Sequence, residues 1–172
     1  MTADISWVDE YRRGGDRLEL APHLTDITEA LDHSIFLGGL SLEAWSKDKR
    51  TSGSLYVSLS NTLRDSYYGG LGGGRTAEDS AAALNAYGNT MDFSAVTGGQ
   101  ITHNFSDKQV FVVGAEWQRN ETLDEIQGYQ RSIDQQVHSY GLFAQHEWKP
   151  NKKFKSILGA RYDLVSVEGR YI

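Results

Sequence analysis

Apolar and polar residues alternate with period two along much of this chain, which is the signature of strands with one face greasy and the other wet. The clearest run is 54–64: Leu55, Val57, Leu59 and Leu63 share one face, and Ser54, Ser58, Ser60, Thr62 and Arg64 share the other. In 93–105, Phe93, Ala95, Gly99, Ile101 and Phe105 oppose Ser94, Gly98, Gln100, Thr102 and Asn104, with His103 at the end of the apolar face. In 140–148, Tyr140, Leu142, Ala144 and Trp148 oppose Gly141, Gln145 and Glu147. Weaker segments complete a set of seven strands, near 2–12, 34–45, 54–64, 93–105, 110–118, 139–148 and 154–165. At ~9–13 residues most are about twice the usual length of a strand in a soluble sheet.

The connections alternate in length. Residues 13–33, 65–91 and 119–136 read as long loops, and 46–53, 106–109 and 149–153 as short turns. In an up-and-down antiparallel meander every second connection lies at the same end, so one rim carries loops and the other turns. Charge follows that division. The long loops hold five basic and twelve acidic residues, whereas the short turns with Lys155 hold eight basic and two acidic ones. Aromatic residues mark the boundary: Trp45, Phe105, Trp148 and Phe154 stand beside the basic turns, and Tyr140 stands eight residues from Trp148. Eight residues span ~26 Å along a strand, or ~20 Å when tilted by ~40°, close to the apolar band of a membrane barrel between its aromatic girdles. The fold class is therefore all-β, an up-and-down antiparallel meander of about seven long strands, of transmembrane β-barrel type. The rival is a soluble or secreted antiparallel domain that binds carbohydrate or protein through its loops; detergent dependence separates the two.

Composition narrows the function. A length of 172 residues is one domain's worth of chain, and a formal charge of -6 with a pI near 5.3 excludes a nucleic-acid partner, which needs a basic surface. The absence of cysteine removes thiolate zinc sites, a cysteine nucleophile and disulfides. No run approaches the ~18 apolar residues of a membrane helix, a test that is blind to membrane strands. Met1 to Trp7 lacks the basic and apolar regions of a signal peptide. No Gly-x-Ser-x-Gly elbow or other catalytic constellation occurs, so the chain is not expected to be an enzyme, and no cofactor is implied.

Ser139 to Lys149, continued by Phe154 and by Leu158-Gly159-Ala160-Arg161-Tyr162-Asp163, resembles the barrel of TonB-dependent outer-membrane receptors, where a strand ending in Gln, an acid, Trp and Lys turns into a Gly-x-Arg-Tyr-Asp strand. Arg64 to Gly70 and Asn85 to Phe93 resemble the Bacteroidota branch, of cobalamin- or siderophore-receptor type. The resemblance implies a Gram-negative outer-membrane receptor that binds a scarce nutrient in its outer loops and imports it with energy from the TonB complex. It also implies that residues 1–172 are part of a large transmembrane β-barrel, an internal stretch of one wall, since the family's barrel has ~22 strands and a plug. Its partners would be outer-membrane lipid, the nutrient, and the TonB complex through a plug segment outside this chain. The end, Gly169 to Ile172, reads as the start of another long loop.

Candidate binding residues lie in the long loops. Tyr67, Tyr68, Tyr87 and Tyr129 offer rings that give contact area at low entropy cost. Asp26, Glu29 and Asp32, and Asp124 with Glu125, are weak calcium candidates, because the EF-hand spacing is absent and a solvated acidic rim explains them as well. The glycine-rich stretch 69–76 lacks the Lys-Ser/Thr of a phosphate loop and reads as a flexible loop tipped by a short helix over 77–84. The five histidines are scattered and do not make a zinc site.

Overall fold

The computed structural model describes residues 1–171, the last two as backbone only. Seven strands follow in chain order: β1 (Thr2–Gly15), β2 (Thr28–Trp45), β3 (Thr51–Gly69), β4 (Tyr87–Ser106), β5 (Gln109–Ile126), β6 (Arg131–Asn151) and β7 (Phe154–Tyr171). They form one antiparallel sheet in the order β1-β2-β3-β4-β5-β6-β7, each paired only with its sequence neighbours. A single helix, α1 (Ala77–Leu84), lies in the β3–β4 connection, and 3₁₀ turns occupy Pro22–Leu24 and Gln127–Tyr129. The meander and its helical tip agree with the sequence reading.

Every strand is longer than its apolar alternation indicates. The largest difference is at 119–136, expected as a long loop: β5 and β6 pair through it as far as Ile126↔Arg131, leaving residues 127–130 as the connection. Likewise Gly169 continues β7 rather than opening a loop, and Ile172 lies outside the described residues. The strands project past the band where one face is uniformly apolar, and the ladder of backbone hydrogen bonds continues where the period-two signal has ended.

Register sorts the side chains onto two faces, because directly paired residues point the same way. Leu42, Leu55, Gly99, Ala115, Leu142 and Tyr162 form one continuous row, and Leu40, Val57, Thr97, Trp117, Tyr140 and Leu164 form another. These apolar rows are uncovered: Leu55 and Leu142 are each 62% exposed and Leu158 75%. A soluble sandwich would bury such rows against a second layer. Here the buried apolar residues are few: Ala30, Tyr67, Ala83, Ala86 and Ile126 sit towards the loop end, and Ala95 lies mid-strand on β4.

The aromatic edge of the apolar face slants across the sheet. Trp7 and Phe36 share a row with Phe93, and in that row β5, β6 and β7 carry Glu121, Gln136 and Glu168. The rings of those three strands sit lower, at Trp117, Tyr140 and Tyr162. From Phe36 on β2 to Tyr162 on β7 the edge falls six residues over five strand steps. Strands ~4.8 Å apart, tilted by ~40° and rising ~3.3 Å per residue, require a step of about 1.2 residues per strand for a belt at constant depth. The slant is that of tilted strands crossing a bilayer.

At the turn end, Phe105, Phe111, Trp148 and Phe154 make the second belt. Phe105 meets Phe111 at 5.6 Å between centroids, and Trp148 meets Phe154 at 6.2 Å. Trp45 does not join it. It pairs with Ser52, on the side of Ser54 and Gln100, whereas Leu40, Leu42 and Ala44 take the apolar side. Nearness to the basic turn suggested a girdle role, and strand parity overrules it.

The opposite face is polar. One row reads Ser41, Tyr56, Gly98, Glu116, Gly141, Asp163. The two glycines leave room for long side chains to lie across them: a Cβ on Gly98 would stand 2.5 Å from the Tyr56 hydroxyl, and one on Gly141 2.5 Å from an Arg161 nitrogen. Tyr56 thus reaches over β4 to donate to Glu116, while Arg161 donates to Glu116 at 3.1 Å and to Asp163 at 2.9 Å.

Candidate functional site

Beyond the upper belt the connections fold onto one another. The β1–β2 loop (16–27) and the β3–β4 loop (70–86) are joined along their backbones: Leu71 N–H donates to Thr25 C=O at 2.7 Å, and Gly72 N–H donates to Asp26 C=O at 2.9 Å. Such close approach requires Gly70, whose φ is +142° and whose Cβ, if present, would stand 2.3 Å from the Asp26 carbonyl oxygen. The Asp26 carboxylate completes the clasp. It accepts from Arg75 at 2.8 Å, Arg17 at 3.0 Å and Gly73 N–H at 3.1 Å. The Arg75 hydrogen bond, with help from Gly73 and Arg17, holds this carboxyl below the usual aspartate range.

Downstream, Thr76 and Asp79 form a reciprocal capping box that starts α1: Asp79 N–H donates to the Thr76 hydroxyl at 3.1 Å and Thr76 N–H donates to the Asp79 carboxylate at 2.8 Å. Under this layer lies a small core of Ala30, Tyr67 and Ala86. Tyr67 is 1% exposed and its ring lies 4.6 Å from that of Tyr87, whose hydroxyl is 3.0 Å from His23 Nδ1.

Three tyrosines of the four are open to solvent, Tyr87 at 42% exposure among them, and two of these, Tyr68 and Tyr129, line the same cleft. Tyr68 is 40% exposed and Tyr129 60%, with the Tyr129 hydroxyl donating to Tyr68 C=O at 2.8 Å. They border an open cleft of about 870 Å³ whose other walls include Gly14, Asp26, Glu29 and Gly70. Glu29 pairs directly with Tyr68 on one side and with Gly14 on the other, so its carboxylate has a ring on one flank and no side chain on the other. The cleft's size is that of a site for a small ligand.

The chain fits the family model described as TonB dependent receptor-like, beta-barrel, over residues 5–171. It belongs to the TonB-dependent receptor β-barrel family. Members are outer-membrane transport receptors rather than enzymes, which places the uncovered apolar face against lipid and the polar face towards the barrel interior. No curated protein matched the chain. In outer-membrane barrels the longer connections are extracellular and the short turns periplasmic.

In this receptor wall the calcium candidates do not converge. Glu29 and Asp32 are three apart on β2 and point to opposite faces, as do Asp124 and Glu125 on β5. Asp26 is taken by two arginines. Asp124 accepts from the Thr90 hydroxyl at 2.6 Å and pairs with Arg131 at 2.7 Å. Among the described residues no three His, Asp or Glu side chains stand close enough to share a metal. Sequence reasoning also missed the cleft walls at Gly14 and Gly70, which only the docking of one loop on another brings together.

The clasp gives a direct expectation. In the full receptor, Asp26→Ala should open the β3–β4 loop to trypsin at Arg75-Thr76 at least ~10-fold faster than in the parent, with no change in barrel assembly. An unchanged cutting rate would show that the carboxylate does not hold the loop. The pH dependence has a definite sign. A carboxyl whose folded pKa is lowered stabilises above its unfolded value and loses that contribution as pH falls through the folded one. The loop should therefore stay protected at neutral pH and loosen only below about pH 4.

Proposed function

We propose that this chain is one wall of a larger barrel that captures a scarce nutrient, a siderophore, cobalamin or a compound of similar kind, in its outer loops and imports it with energy delivered by the TonB complex to a plug outside this segment. The observation that carries the reading is the pairing of an uncovered, slanting apolar face with an outer cleft on the polar, interior side of the same wall. The reading as an incomplete barrel is supported by the outer edges of β1 and β7, which have no partner strand among the described residues, since unpaired edges are not stable in hydrocarbon. Further strands of the same receptor are the natural cover.

The test is uptake by whole cells that express the full receptor in a strain lacking it, with labelled cobalamin and labelled ferric chelates as probes. The expected result is surface binding of one probe that survives a protonophore and uptake that does not. Uptake that continues without the proton gradient, or that is unchanged in the receptor-deficient strain, would contradict the reading.

A further inference from the structure

The outer cleft shows a preference of charge. All seven lysines of the chain lie at the turn end, between Lys47 and Arg50, at Lys108, and between Lys149 and Lys155. The loop half relies on arginines, and carboxylates already hold nearly all of those whose side chains are described. Arg12 pairs with Glu10 at 2.8 Å, Arg17 and Arg75 with Asp26, and Arg131 and Arg64 with Asp124 at 2.7 and 4.0 Å; Arg119 pairs with Glu121. Arg13 is the exception, and it points to the opposite face of β1 from Gly14, away from the cleft. Carboxylates remain in surplus. Glu29 is exposed in the cleft wall with no cation within 4 Å among the described residues, between the open flank at Gly14 and the Tyr68 ring.

We infer that this wall of the site recognises a cationic group of the ligand, an ammonium or guanidinium, seated between the Glu29 carboxylate and the rings of Tyr68 and Tyr129. The inference rests on the cleft being a capture site. A carboxylate supplies a charge-assisted hydrogen bond, and tyrosine faces attract a cation lying within ~6 Å of the ring centroid. The acidic rim around them raises the local concentration of cations and repels anions. A polyanionic metal chelate would find no unpaired arginine among the described residues lining the cleft and would have to displace an existing ion pair. Nutrients that are neutral or carry a positive group are thus favoured over anionic chelates.

Two probes of similar size and opposite charge test it, the tripeptide amide Lys-Gly-Lys and the N-acetylated tripeptide Glu-Gly-Glu, which carries no ammonium. Each is titrated calorimetrically into the purified full receptor, its Glu29→Gln variant and its Tyr129→Ala variant. The cationic probe should bind the parent at least ~10-fold more tightly than the anionic one and lose at least ~10-fold in both variants. Preferential binding of the anionic probe, lost in Tyr129→Ala, would overturn the charge preference and leave the cleft as the capture site. Binding of the cationic probe that neither variant weakens, or no binding of either probe, would overturn the cleft and the charge preference with it.

Discussion

Val57→Arg in the full receptor is expected to lower the stability of the membrane-inserted barrel by ~2–4 kcal/mol, the cost of an arginine on the lipid face near the bilayer midplane. Val57 lies in the row Leu40, Val57, Thr97, Trp117, one residue pair below Leu59 and above Leu55, within the apolar band. Ser58, its chain neighbour, pairs with Gly39 and Val96 on the interior face and meets water or the barrel contents. Ser58→Arg should therefore assemble at close to parental levels. The comparison uses one side chain at adjacent positions, so expression and intrinsic strand propensity largely cancel. Equal loss of folded receptor from both variants, read by heat-modifiable migration on gels, would mean that the faces are assigned wrongly.

Replacing residues 70–86 with a tight turn should leave barrel assembly unchanged and reduce ligand binding to whole cells by at least ~10-fold, or ~1.4 kcal/mol. Assembly should survive because β3 and β4 still pair from Tyr67↔Tyr87 down to Thr51↔His103. Binding should fall for two reasons. The deletion removes the Gly70 and Gly72 side of the cleft. It also releases the β1–β2 loop, which loses its backbone bonds to Leu71 and Gly72 and the Arg75 ion pair. A loop held this closely contributes a preorganised wall, and its loss adds an ordering cost to any ligand that still binds. Full binding by a correctly assembled deletion would remove this loop from the site.

The middle of every strand was legible in the sequence because a bilayer imposes alternation: one face meets lipid and the other water. The strand ends were not. At 119–136 the apolar positions change sides: Leu123 shares the outer face with Trp117, whereas Ile126 and Ile133 take the inner one. With lipid gone from the outer face nothing keeps the alternation in phase, and a pattern-based reading takes a paired hairpin for a loop. That misplaced boundary also affects the site. Tyr67 and Tyr68 are consecutive strand residues and point to opposite faces, one into the loop core and one into the cleft, a distinction invisible while both are assigned to a loop. Glu29 and Asp32 look like a cluster at loop spacing and are separated by strand parity. Trp45 is different, since its parity with Glu43 rather than Leu42 was readable and nearness to the basic turn outweighed it. The clasp at Asp26 joins residues 49 apart in sequence through the Arg75 side chain and is backed by backbone bonds between the two loops, and no local pattern encodes it.

The central claim is that this sheet stands in a bilayer with its Leu55 face outward. Because residues 1–172 contain no cysteine, single cysteines can be placed at each position from 54 to 64 in the full receptor, with any others removed, and spin-labelled after reconstitution into lipid vesicles. Collision with oxygen, which concentrates in hydrocarbon, and with a water-soluble nickel complex should then alternate with period two. Labels at 55, 57, 59 and 63 should favour oxygen, and labels at 54, 58, 60 and 62 should favour nickel or be shielded from both. An accessibility profile without that alternation, or one with the two sets reversed, would contradict the account.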